Sequence, residues 1–297
     1  MNTLSNFAEE VKAQILKTNN FKSIDIREII MTNDTKLTAL VISENGVNIS
    51  PSIYLNDYYS DWEKGIYTTE DVADMVVDEY KKNVVDTNFN TESFMNFSNA
   101  KEHIIYRIVN QKLNEELLSD VPYIPYLDLA IVFAYLVPTK ESDAMASILI
   151  HNSHIKSWGV TTEELYSIAM ENTPKLLPQS FRTLDDVITE LMGFYPYEGC
   201  EEKIQMYCLT NERRTNGAGV ILYDKILDKI ANHFNSDFYI LPSSIHEVLI
   251  VPSSVAISKD TLDKMVTYVN DTEVAANEIL SDHAYYYSRN DKKVIAA

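Results

Sequence analysis

Cysteine is almost absent: Cys200 and Cys208 are the only two in 297 residues. Two thiols make no disulfide framework, and the Cys-x7-Cys spacing matches no common zinc site, so both read as free thiols. Basic residues are also scarce. Lys and Arg number 25 against 44 Asp and Glu, a formal charge of minus 19. The excess is spread evenly, minus 9 over residues 1–120 and minus 10 over 121–297. Counterion release on nucleic acid needs clustered cations, and the only adjacent basic pairs are Lys81-Lys82, Arg213-Arg214 and Lys292-Lys293; direct DNA or RNA binding is not expected. Long apolar runs are missing. The most hydrophobic, Leu127 to Val137, has 11 residues, contains Asp128 and ends at Pro138, whereas a membrane-spanning helix needs about 20. It reads as a buried strand. The first helix candidate, Thr3 to Thr18, carries Glu9, Glu10, Lys12 and Lys17, so it lacks the unbroken apolar stretch of a secretory signal. A cytoplasmic protein with no membrane contact is expected. Neither Gly-x-Gly-x-x-Gly nor a Gly-Lys-Ser/Thr ending occurs, so no cofactor is expected.

What is present is ordinary for a folded chain: 45% apolar and 23% charged residues, enough to fill a core. The length suits two subdomains, read as α+β with mostly antiparallel sheets packed with helices. Residues 1–118 form the first, a small sheet plus helices, and 119–297 the second. Ser23 to Ile30 and Lys36 to Ser43 read as a hairpin turning at Asn33-Asp34. A third strand, Val47 to Tyr54, contains Pro51 and belongs at an edge. Thr68 or Thr69 caps a helix with an apolar stripe of Val72, Met75, Val76 and Tyr80. Asn83 to Asn99 reads as a connecting segment. Beyond it, Ile104 to Val109, Leu127 to Val137 and Met145 to Ile150 are expected strands, the last two joined by a turn at Lys140 to Asp143. Val160, Thr161, Glu164 and Leu165 make a capping box with a hydrophobic staple, and Pro174 is expected to close that helix. Another helix starts at Ile257-Ser258. Asn290 to Ala297 are expected to be mobile.

Four constellations could carry chemistry. The first is Met206 to Gly219. Arg213, Arg214, Gly217 and Gly219 precede an amphipathic run through Val220, Tyr223, Ile226, Ile230 and Phe234, and a Gly-containing turn opening a helix could hold an anion. The second is Leu241 to Pro252. On a strand, Ser244 and His246 share one face while Glu247 points away, and with Ser243 these residues are the catalytic candidates. The structural alternative has the serines capping a tight corner that His246 anchors through a hydrogen bond. The third is His151 with His154, a spacing that could put two imidazoles on one metal if a third ligand returned. The fourth is the run Tyr285, Tyr286 and Tyr287, read either as interface anchors or as an edge strand packed on a core.

The segments Asn48-Ile-Ser-Pro-Ser-Ile-Tyr-Leu55 with Tyr58-Tyr59, Leu209-Thr-Asn211 with Gly217-Ala218, Leu241-Pro-Ser-Ser-Ile-His-Glu-Val-Leu249 and Leu280-Ser-Asp-His-Ala-Tyr-Tyr-Tyr287 resemble a family of bacterial proteins of unknown function. The Pro-Ser-Ser-Ile-His-Glu segment is the most specific. That resemblance implies a setting in anaerobic gut Firmicutes and on conjugative or phage-derived elements, and hence a role in conflict between host and element, but no activity. A looser likeness, after Pro122 and in the strand-helix-strand order near the end, is to another uncharacterised cytosolic family. Taken together, the residues point to a non-enzymatic binding or regulatory protein acting through a protein partner. The alternative is a small hydrolase or phosphate-ester processing enzyme joining Ser243, Ser244, His246 and Glu247 to Arg213 and Arg214. A further alternative is an acidic mimic of DNA.

Overall fold

The computed structural model describes residues 3–45, 50–83, 91–137, 146–194, 204–255 and 257–296. Two compact units divide the chain. The first takes Met1–Met31, Thr35–Glu92 and Pro138–Ala144, the last lying outside the described residues. The second takes Thr32–Asp34, Ser93–Val137 and Met145–Ala297. Residues 93–118, assigned from sequence to the N-terminal domain, therefore belong to the second unit, because β4 (Ile104–Asn110) shares the core of that unit.

In the first unit, α1 (Leu4–Thr18) is capped by the Thr3 hydroxyl, which accepts the Asn6 N–H. Strands β1 (Ser23–Ile30), β2 (Lys36–Ser43) and β3 (Ser52–Tyr54) form an antiparallel sheet in that order, with β3 at an edge beside Pro51. The third expected strand began at Val47, and residues 46–49 lie outside the described residues. Then come α2 (Asn56–Glu63) and α3 (Thr69–Asn83), the second capped by the Thr68 hydroxyl on the Asp71 N–H. Helical spacing puts Phe7, Val11 and Ile15 of α1 and Val72, Val76 and Tyr80 of α3 on faces that bury against Ile24, Leu40 and Ile53.

The second unit holds the candidate site. It opens with α4 (Thr91–Met95) and α5 (Phe97–Ala100), short helices in the stretch expected to be a connector; Phe94 buries against Tyr135 and Trp158. β4, α6 (Glu115–Asp120), β5 (Tyr123–Tyr126), β6 (Leu129–Val137) and β7 (Ala146–Leu149) follow, with β6 pairing β4, β5 and β7. The turn between β6 and β7 lies outside the described residues. The apolar run of β6 is explained by burial on both faces: Leu129, Ile131 and Phe133 enter the main core, Ala130 and Val132 a second cluster with Val109 and Leu118.

Next come α7 (Asn152–Trp158) and α8 (Thr162–Leu176). The Thr161 hydroxyl accepts the Glu164 N–H at 3.2 Å and the Glu164 carboxylate accepts the Thr161 N–H at 2.8 Å. Pro174 does not close α8; the helix runs two residues past it. The remaining elements are β8 (Gln179–Thr183), α9 (Leu184–Met192), β9 (Tyr207–Asn211), α10 (Ile226–Phe234), β10 (Phe238–Leu241), β11 (Val248–Pro252), α11 (Lys259–Thr272), β12 (Tyr285–Ser288) and β13 (Lys293–Ala296). Their strands form one antiparallel sheet ordered β13-β12-β10-β11-β9-β8. The tail expected to be mobile is thus an edge strand, with Tyr286 opposite Ile295. Strand alternation sends Leu209, Val248, Ile250 and Phe238 into the main core, while Val251 and Leu241 meet Leu262 and Val266 of α11 on the other face. The fold is α+β, with every pairing among the described strands antiparallel. No helix among the described residues is long and apolar enough to cross a membrane.

Candidate functional site

The corner between β10 and β11 is a loop, so the two-faced alternation expected for residues 244–247 does not apply. Its shape is fixed by hydrogen bonds. Ile245 N–H donates to Glu278 O at 2.9 Å, Leu280 N–H to Ser243 O at 3.1 Å and Ser281 N–H to Pro242 O at 2.9 Å. Ser244 is buried, and its hydroxyl oxygen accepts the His246 N–H at 3.0 Å, a local serine turn. Both ring nitrogens of His246 are engaged. Asn216 N–H donates to Nδ1 at 3.2 Å, so Nδ1 carries no proton, and Nε2–H faces the Glu278 carboxylate at 3.3 Å. The His246 carbonyl accepts the Thr210 hydroxyl at 2.7 Å. A general base needs a free ring nitrogen within reach of the hydroxyl it activates, and Ser243 and Ser244 find none in His246.

The two glycines expected to open an anion-binding helix instead lie in a buried 3-10 turn, Gly217–Leu222, and α10 starts later, at Ile226. A side chain at Gly217 would collide with the Thr210 hydroxyl and meet His246 O at 2.6 Å and Asn211 N at 2.7 Å; at Gly219 it would meet the Tyr106 ring at 3.1 Å. Close packing, not phosphate, demands glycine here. Arg214 reaches the other way. It pairs with the Glu190 carboxylate of α9 at 2.8 Å, and Arg182 of β8 holds the other oxygen of the same carboxylate. The two guanidinium groups keep Glu190 below the usual carboxylate range.

The sheet face that carries α11 opens beneath α9 into a cavity of about 370 Å³. The cavity brings together Ser243, Glu247 and Arg214 of the sequence candidates, but not Ser244, His246 or Arg213. Alternation on β8 and β9 points Ser180, Arg182, Cys208 and Thr210 into it, and the roof comes from Leu184, Val187, Ile188 and Leu191 of α9. Leu241, Leu249, Val269 and Val274 complete an apolar wall. Burial pushes the Cys208 thiol up to about 11, with Glu247 adding to the rise and the two arginines opposing it. A thiol so raised is a poor nucleophile at neutral pH. Burial also raises Glu247; His246 pulls it down and Glu278 pushes it further up. Glu247 accepts no hydrogen bond from a described residue. The helix that roofs the cavity escaped the sequence reading. Its signals were Thr183, whose hydroxyl caps the Asp186 N–H, and the spacing of Leu184, Val187, Ile188 and Leu191.

The remaining candidates are used elsewhere. His154 Nδ1 accepts the His151 N–H at 3.0 Å, and His151 Nδ1 lies 2.8 Å from Asp120. The pair closes the first turn of α7, and among the described residues no three His, Cys, Asp or Glu side chains form a metal-binding group. Tyr285 and Tyr287 are buried and cannot be exposed anchors, because strand alternation turns both into the main core, while β13 pairs with the backbone edge of β12. Each of the three tyrosines donates to an aspartate: Tyr285 to Asp128, Tyr286 to Asp237 and Tyr287 to Asp228. The sequence reading also missed Asp128, which accepts the Ser281 hydroxyl at 2.9 Å and lies 3.9 Å from His283 Nε2. This cluster has the composition of a serine triad, but Ser281 is fully buried and its proton goes to Asp128.

Fold and site define an α+β protein with an apolar cavity set on one face of an antiparallel sheet. A family model described as a family of unknown function, DUF5688, matches residues 4–289, and the chain belongs to that family. Its description assigns no activity, which agrees with the resemblance of the four segments to a family of unknown function. No curated protein and no solved structure matches the chain.

Proposed function

We propose that this is a non-enzymatic binding protein whose ligand inserts an apolar group into the cavity beneath α9. One observation carries the reading: a cavity of about 370 Å³, within the range of about 300–1,000 Å³ usual for small-molecule pockets, is walled mainly by aliphatic side chains with polar groups gathered at few points. The hydrolase alternative finds its serine, carboxylate and arginine in the same cavity but neither an imidazole nor a thiolate. His246 is bound to Asn216 and Glu278, and burial keeps the Cys208 thiol protonated at neutral pH. The ligand also has a route to regulation, because α9 is latched to the sheet by one shared carboxylate at its exposed side, an ion pair that solvent screens and that contributes little.

Calorimetric titration with octanol, a neutral apolar probe, tests this. Wild-type protein should bind it with a negative heat-capacity change, the mark of apolar burial. Ile188→Trp, which fills the cavity from α9, and Val269→Phe, which fills it from α11, should each abolish the heat. If wild type does not bind, or if both filled variants bind as well as wild type while remaining folded, the cavity is not the site.

A further inference from the structure

Resting on the binding role assigned to the cavity, the charge of the ligand follows from which of the polar groups there are already matched. Arg182 and Arg214 are matched, since both hold Glu190. Thr210 donates its hydroxyl proton to His246 O and keeps its lone pairs. Glu247 has nothing: no hydrogen bond and no ion pair from a described residue, although it is half-buried among apolar neighbours. Of the neighbouring charges, His246 pulls its carboxyl down and Glu278 pushes it up. His246, which does not line the cavity, is itself turned to Glu278 through Nε2, so Glu247 is the one carboxylate on the cavity wall and has no cation of its own among the described residues. A carboxylate left without donors in apolar surroundings is costly, more so if charged, and is held there only if the surrounding fold is otherwise well determined. An incoming donor recovers that cost. The donor must sit on an apolar body to fit the remaining wall.

We propose that the cavity binds an apolar monocation, an alkyl- or arylalkyl-ammonium, with its hydrocarbon between α9 and the sheet and its ammonium on the Glu247 carboxylate beside the Ser243 hydroxyl. The ammonium has three donors, and Glu247 oxygens, Ser243 Oγ and Thr210 Oγ1 are acceptors lining one cavity. A carboxylate-headed ligand would instead have to displace Glu190 from both arginines or set a second carboxylate beside Glu247.

The test compares octylammonium, octanoate and octanol on wild type and on Glu247→Gln, by calorimetry in 150 mM salt so that the overall negative charge does not decide the result. Octylammonium should bind wild type about tenfold tighter than octanol, as a charge-assisted hydrogen bond gives, and octanoate weaker than either. In Glu247→Gln the ratio of octylammonium to octanol affinity should fall to about one, whatever the change in octanol affinity itself. If octanol binds but octylammonium does no better, or if the preference survives in Glu247→Gln, the cationic ligand is refuted and the apolar cavity stands. Preference for octanoate overturns it in favour of Glu190 displacement. If none of the three binds, the cavity reading falls as well.

Discussion

Glu247 has the environment least suited to a purely structural side chain. Its neighbours in the cavity wall are Leu241 and Leu249, and burial holds its carboxyl above the ordinary glutamate value. The consequence for stability has a definite sign. A carboxyl that binds its proton more tightly when folded adds protons to the native state relative to the unfolded chain, so stability falls as pH rises from about 4.3 through the raised value. Above that window Glu247→Gln should be more stable than wild type by about 1 kcal/mol, a Tm gain of about 2 °C for a protein of this size. At about pH 3, more than a unit below the ordinary glutamate value, both side chains are neutral in folded and unfolded chains and the two melting curves should converge. Equal Tm values at pH 8 would show that Glu247 is solvated or paired after all. Arg107 on β4 is a related case: burial draws its guanidinium down to about 10, and its Nε is buried without a partner among the described residues. It does not line the cavity, and its aliphatic stem packs in a strand whose neighbours Ile105 and Val109 are buried.

The elements around the site are held together by contacts too close for a side chain. The 3-10 turn at Gly217 runs directly against the end of β9 and the corner at His246, with Ala218 N–H donating to Ile245 O at 3.1 Å. Two of the three atoms that a Gly217→Ala methyl would strike are backbone, so relief requires moving a strand end. That substitution should destabilise by about 3 kcal/mol, whereas Gly193→Ala, where nothing lies within 4 Å and only the positive φ of 75° resists, should lose about 1 kcal/mol. Urea midpoints of the two variants decide; equal shifts would mean that the turn yields freely. The same elements show what could be read in advance. The hairpin at Asn33-Asp34, the box at Thr161 and the strand at Leu129–Val137 carry their determinants locally, in a turn pair, a cap and a run of apolar residues. The corner at Ser243–Glu247 was legible as a corner with an anchoring histidine. What escaped were relations between distant segments: that β13 returns to pair with β12, that Gly217 abuts His246, and that α9 closes a cavity over Cys208 and Glu247. No local pattern encodes which strand lies beside which. Tyr285 to Tyr287 therefore looked exposable until their aspartates, 49 to 157 residues away in sequence, came into view.

For the molecule as a whole, the charge of minus 19 and the aspartate anchors act in opposite directions as pH changes. Asp237 is held below the usual carboxylate range by the Tyr286 hydroxyl and the Arg289 N–H, and Asp228 by the Tyr287 hydroxyl, with Lys292 assisting. Asp263 is lowered too, where burial that would raise it is overcome by Lys259 and the Ala284 N–H. A depressed carboxyl contributes stability above its unfolded value, near 3.9, and loses it as pH falls through the folded value. Those three aspartates hold β12, the segment after it, and the start of α11, so below about pH 4 the six-stranded sheet loses the ties of its C-terminal strands. Above pH 6 the anchors are intact, and what opposes folding is repulsion among excess carboxylates that no basic cluster offsets. Tm should therefore peak between about pH 5 and 6, near but above the isoelectric point of 4.6. Raising NaCl from about 20 to 300 mM should increase Tm at pH 8, where screening relieves the repulsion, and change it little at pH 5. Calorimetric scans over that grid would contradict this balance if salt had no effect at pH 8, because even repulsion then could not be what separates the neutral plateau from the peak.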